Sequence, residues 1–147
     1  MISDTLRLLV GIGLLSAVAV TQAANVSLTS SDPSGTSSFN SAGRWSNGAP
    51  PGATNDYFTS TFTLRCPVNA DAYTFGGGSL TISAGGRLLM KGTGGQILTV
   101  PNLIMNGGLA DYANANTDYN SETLAGNITL AAGTTNYFGA LSGSSGS

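Results

Sequence analysis

The chain has 147 residues, 8% of them charged and 41% hydrophobic, with a net charge of −2 and no histidine. That length is a prior for one domain. Arg44, Arg65, Arg87 and Lys91 are the cations after the first two dozen residues, and they make no basic patch for nucleic acid or an anionic membrane surface.

One cysteine, Cys66, excludes an internal disulfide and, with no histidine, the usual zinc sites. Cys66 reads as a small buried hydrophobe in a strand ending at Pro67, with pairing between chains as the alternative. The 21 glycines suit a β-protein with many tight turns.

Residues 1–23 read as a secretory signal peptide. Arg7 lies in a weak basic region, Leu8 to Val20 is apolar, and Thr21-Gln22-Ala23 offers a cleavage site. Thirteen apolar residues make about 20 Å of helix. That is short of the ~30 Å hydrocarbon core, which disfavours a transmembrane anchor. No later apolar run is long enough to span, so no membrane-spanning segment is expected after cleavage.

Residues 24–72 read as an N-terminal capping region. Asn25 to Thr29 alternates apolar and polar and predicts a strand, and Ser30 to Ser38 is turn chemistry. Phe39 to Gly52 follows, with Trp45 and the pair Pro50-Pro51, which cannot donate to a ladder. Trp45 and Phe39 are placed as a seal over one end of the core; the competing reading makes Trp45 a platform for sugar stacking. Asp56 to Thr59 and Thr61 to Leu64 predict further strands.

Residues 73–140 repeat one pattern. Leu80-Thr81-Ile82, Leu103-Ile104-Met105 and Ile128-Thr129-Leu130 recur at steps of 23 and 25. Tyr73-Thr74-Phe75, Ile97 to Val100 and Thr123-Leu124 keep nearly the same beat. Leu88-Leu89-Met90, Leu109-Ala110 and Tyr137-Phe138 follow it more loosely. Short strands at such a period predict an all-β, right-handed parallel β-solenoid (β-helix) with about three strands per coil. A β-sandwich is the alternative, because short strands with frequent turns describe it too. Leu80, Ile82, Leu103, Met105, Ile128 and Leu130 are expected in one buried column. Leu88, Met90, Leu98, Val100, Leu109, Leu124 and Phe138 are expected to fill the rest. Glycine runs and Asn106 and Asn127 are assigned to corners.

Asp111 to Glu122 (DYANANTDYNSE) interrupts the beat and reads as a solvated loop, the best place on the repeat to seek function. Its acids fit neither the EF-hand nor the Gly-Gly-x-Gly-x-Asp calcium pattern. Asp111 and Asp118 have no fixed separation for glycoside cleavage. No catalytic, cofactor or metal residue is assigned. Trp45, Tyr112 and Tyr119 are the candidate carbohydrate contacts. Residues 141–147 have flexible-linker composition, and the chain is expected to stop before its repeat does.

Arg44-Trp45-Ser46-Asn47-Gly48-Ala49-Pro50-Pro51-Gly52, then Asn55-Asp56-Tyr57-Phe58, then units such as Leu80 to Leu88 and Thr123 to Leu130, carry a resemblance. The chain resembles the amino-terminal part of bacterial surface proteins with autotransporter-associated β-strand repeats. The resemblance implies a secreted β-helical passenger that displays or adheres at the cell surface. These 147 residues hold neither the carboxy-terminal barrel nor the sorting signal of such proteins, which leaves the anchoring route open. The expected function is a secreted or surface-bound, non-enzymatic solenoid with a structural or adhesive role and extracellular glycans or surface components as partners. A carbohydrate-binding module is the second reading, and a polysaccharide lyase or glycoside hydrolase of β-helix type the third.

Overall fold

The computed structural model describes residues 22–68, 72–92, 95–113 and 122–141. The leader (1–21), the expected turn at 69–71, most of the polar excursion (114–121, with Asp118 and Tyr119) and the tail 142–147 lie outside the described residues.

The described residues are all-β. The strands are β1 (Ala24–Ser27), β2 (Asn55–Phe58), β3 (Thr63–Arg65), β4 (Tyr73–Thr74) and β5 (Ser79–Ser83). They continue with β6 (Arg87–Met90), β7 (Ile97–Asn106), β8 (Leu109–Ala113), β9 (Thr123–Leu130) and β10 (Tyr137–Leu141). Among these residues no helix is long and apolar enough to cross a membrane.

Every ladder between these strands is parallel. Such pairing differs from the hairpin-connected, antiparallel sheets of a sandwich. One sheet runs β1-β2-β5-β7-β4, with β9 also on β7; the other runs β10-β8-β6-β3. In the first, Tyr57 pairs with Leu80, Leu80 with Leu103, and Leu103 with Ile128. In the second, Leu64 pairs with Leu88, Leu88 with Ala110, and Ala110 with Phe138. The residues stacked in this way occupy equivalent places in successive stretches of chain.

The long strand β7 serves two partners. Leu98 and Thr99 pair with β4, and Leu103 to Asn106 pair with β5. The change falls at Pro101, which has no amide to donate. On the other side the β7–β9 register shifts between Thr99 and Asn102. Gly126 sits opposite this bulge at φ 122°, and a Cβ there would collide with the Val100 carbonyl. A bulge with glycine opposite it thus lets a proline lie within an inner strand.

Alternation puts one side of each strand inward. Leu80, Ile82, Leu88, Leu98, Val100, Leu103 and Met105 are buried in one apolar cluster with Tyr57, Leu64 and Cys66. Burying each aliphatic side chain contributes about 1.5–3 kcal/mol.

The last turn of the pattern departs from the expected core. Ile128, Leu130 and Phe138 continue the inward columns but are 45%, 58% and 54% exposed. Leu109 and Leu124 are half-buried. Ile128, Leu130, Leu124 and Phe138 have column neighbours on one side only, because among the described residues β9 pairs with β7 alone and β10 with β8 alone. Leu109 instead lies on the outward side of β8, between Arg87 and Tyr137. Two further expectations are corrected. Asp111 to Ala113 belong to β8 rather than to a solvated loop. Asn127 lies inside β9, opposite Asn102, rather than at a corner. The ladders also run through the boundary at residue 72, since β2 pairs with β5 and β3 with β6.

Candidate functional site

Three places bring polar or aromatic side chains together. The first is the segment before β2. Leu28 forms an antiparallel bridge with Trp45, next to β1. The Thr29 amide donates to the Arg44 carbonyl at 2.9 Å and the Ser46 amide to the Ser27 carbonyl at 2.9 Å. The buried Asp32 carboxylate holds the intervening loop. It accepts from the Ser38 amide at 2.9 Å, the Ser38 hydroxyl at 2.5 Å and the Arg65 amide at 3.0 Å. Ser38 in turn receives the Trp45 indole N–H on its carbonyl at 2.7 Å.

Trp45 is 3% exposed. Its ring lies 4.8 Å from Tyr57 edge-on and 6.3 Å from Phe75, and Phe39 packs 5.3 Å from Phe75. A Cβ on Gly77 would strike both Phe75 and Tyr57, so glycine is what allows the rings to close. With its faces packed and its N–H bonded, Trp45 offers no surface for a sugar to stack on. That removes it from the candidate carbohydrate contacts and makes it part of the core.

The second place is a cluster of polar side chains around Cys66, which follows β3. The buried Cys66 sulfur accepts the Lys91 amide at 2.9 Å and lies 3.3 Å from Gln96 Oε1 and 3.2 Å from the Pro67 carbonyl. Burial is the main cause pushing its thiol up to about 11, with the nearby Glu122 adding to it. Such a thiol is a poor nucleophile. Glu122 is half-buried against Gly92, where a side chain would overlap its carboxylate. Among the described residues neither carboxylate oxygen has a hydrogen-bond partner, nor does the Tyr112 hydroxyl. Burial pushes Glu122 up to about 7 and raises Tyr112, with Glu122 as the lesser cause for the tyrosine. Tyr112 packs partly against the core. It is therefore a poor free platform for a sugar, and Tyr119 lies outside the described residues.

The third place is the outward face of β6, β8 and β10. Arg87 binds Asp111 through both carboxylate oxygens, Nε at 2.7 Å and Nη2 at 2.6 Å. Asp111 is nearly buried, so the pair is geometrically fixed. This engages the Asp111 carboxylate and argues against a calcium role for it. Among the described residues no group of three His, Cys, Asp or Glu is placed to hold a metal. A shallow groove of about 340 Å³ runs beside the pair, lined by Thr63, Arg87, Leu109, Tyr137 and two glycine pairs. Tyr137 is 59% exposed there.

Sequence reasoning missed this face. A signal was present: once Leu88 is aligned with Ala110, Arg87 and Asp111 fall diagonally on one face of neighbouring strands. Comparison with protein families, curated proteins and solved structures returns no match to this chain.

Proposed function

We propose that the chain is a right-handed parallel β-solenoid with an N-terminal cap, exported to the bacterial surface and acting there as a structural or adhesive element without catalysis of its own. The observation that carries this reading is the stacking of Leu80, Leu103 and Ile128 in register, beside the column of Leu88, Ala110 and Phe138. A coil rising by one strand spacing per repeat produces such columns. It yields a stiff, repetitive side wall suited to display. The apolar leader and the resemblance to autotransporter-associated repeats support export and surface placement. The test is cell fractionation with mass spectrometry of the recovered chain. Recovery outside the cytoplasm with Ala24 as first residue is expected, and retention inside with the leader intact would sink export. Release of oligosaccharides from pectin-like or alginate-like polymers would overturn the non-enzymatic reading.

Carbohydrate binding is the second reading, and one observation favours it. Exposed Tyr137 stands beside the Arg87–Asp111 pair along the groove, an aromatic face next to hydrogen-bonding groups. Retention on an insoluble polysaccharide that survives Tyr137→Ala would remove this site from consideration.

A further inference from the structure

Cys66 and Gln96 meet inside the protein. Both are 0% exposed, and Gln96 is a fully buried polar side chain beside an otherwise apolar cluster. The Cys66 thiol donates to Gln96 Oε1 at 3.3 Å, and Gln96 Nε2 donates to the Pro67 carbonyl at 3.1 Å. The amide carbon is one C=O bond, about 1.2 Å, from that oxygen. The thiol and the carboxamide are therefore held near the ~3–3.5 Å separation from which such groups react. Glu122 supplies a third group. A Cβ on Gly92 would meet both Glu122 Oε1 and Gln96 Cβ, so these two side chains crowd the same spot. Both Glu122 carboxylate oxygens are buried without a partner among the described residues. Glu122 is also near enough to Cys66 to raise its thiol.

We propose that Cys66 and Gln96 join in an internal thioester, with Glu122 as the base. Cys66 Sγ bonds to Gln96 Cδ, and the Cδ–Nε2 bond breaks. The thiol proton passes to the Glu122 carboxylate and from there to the departing nitrogen, which leaves as ammonia. Glu122 ends as it began, and no oxidant or reductant is consumed. The base answers the chief obstacle, since a thiol pushed up to about 11 does not attack unaided. A carboxyl group pushed up to about 7 is a stronger base than an ordinary carboxylate. The Lys91 amide donates to Sγ at 2.9 Å and steadies the charge that develops on sulfur. Full burial keeps water from hydrolysing the product. The bond ties the residue after β3 to the residue before β7, 30 positions on. It is a covalent staple within the stack, and it does not depend on a structural or adhesive role.

Intact-mass measurement of the purified, unreduced protein under denaturing conditions tests this. The expected mass is one ammonia below that of the sequence, with Cys66 refractory to alkylation. Hydroxylamine should restore the thiol and leave Gln96 as a hydroxamate. Cys66→Ser and Gln96→Ala should each abolish the loss, and Glu122→Gln should slow its appearance after synthesis by about a hundredfold. If a variant fails to fold, the unmodified protein decides, because its digest must contain the Cys66 and Gln96 peptides joined. An unreduced mass equal to that of the sequence, with one alkylatable thiol, overturns the proposal. A mass doubled by a disulfide between chains overturns it likewise. So does an ammonia loss that persists in Cys66→Ser, which would come from elsewhere, as at Asn47-Gly48 or Asn106-Gly107. Loss at an unchanged rate in Glu122→Gln overturns the assignment of the base.

Discussion

Among the described residues, the β1 edge and the β9–β10 edge continue the same columns and differ in what lies over them. At the β1 end, four aromatic rings and a buried aspartate finish the core, and a bonded loop lies along the edge. At the β9–β10 end, the same inward positions hold Ile128, Leu130 and Phe138 with nothing stacked on them among the described residues. The lesson is that an inward position in a stacked fold is worth what its two neighbours along the column make it. Residue type alone does not set its contribution.

The sharpest test of the capped end is Trp45→Ala. It removes a buried ring and leaves the Ser38 carbonyl without its donor. A loss of about 3–5 kcal/mol is expected in urea unfolding followed by circular dichroism. Trp45→Phe keeps most of the ring and loses only the N–H, so it should fall nearer 1–2 kcal/mol. If Trp45→Ala were neutral, the cap would not be part of the folding unit.

The two ends can be compared directly within one column. Ile82 is fully buried, whereas Leu130, two steps along through Met105, is mostly exposed. Ile82→Ala should cost about 2–5 kcal/mol. Leu130→Ala should cost under about 1 kcal/mol. Equal costs would mean that the β9–β10 edge is covered in solution.

The columns were legible in the sequence because they are built from a period. Leu80, Leu103 and Ile128 are marked by recurrence, and alternation says which side faces in. The exposure of Ile128 and Leu130 was not legible in the pattern, because periodicity reports equivalence between turns and says nothing of what covers each one. Trp45 was legible as a large ring near a proline pair, while its burial depends on Asp32, Ser38 and Gly77, which are scattered in sequence. Arg87 and Asp111 were separable from background only after the register was known. Asp111 was assigned to a loop because the polar run after it conceals the end of β8.

Glu122 gives a smaller effect with a definite sign. Its carboxyl titrates near its ordinary value of 4.5 when unfolded and is pushed up to about 7 by burial when folded. The folded state then holds the proton more tightly, so stability is full below pH ~4.5 and declines as pH rises towards ~7. Because Glu122 is only half-buried, solvent screening reduces the change to on the order of 1 kcal/mol. Urea midpoints at about pH 5 and pH 8 should therefore differ, and Glu122→Gln should remove this group's part of the slope. A stability rising across that window would place the carboxylate beside a cation instead of in its present unpartnered setting.

The smallest effect lies at the corners, where early and later turns are again compared. Between β2 and β3 the chain takes a positive φ at Ser60, 53°. The corners between β5 and β6 and between β7 and β8 place glycine at positive φ, Gly85 at 76° and Gly107 at 82°. A side chain in the left-handed region costs about 1–2 kcal/mol, and glycine in its place loses about 0.5–1 kcal/mol in the unfolded chain. Ser60→Gly should thus stabilise by a few tenths up to about 1 kcal/mol. The Thr59 hydroxyl donates to the Ser60 carbonyl, a backbone group that Ser60→Gly keeps. Gly85→Ser is the reverse experiment and should destabilise by about 1 kcal/mol. If Ser60→Gly were destabilising instead, the serine hydroxyl would have to bind something the corner needs, and Ser60 would become the residue to examine at the capped end.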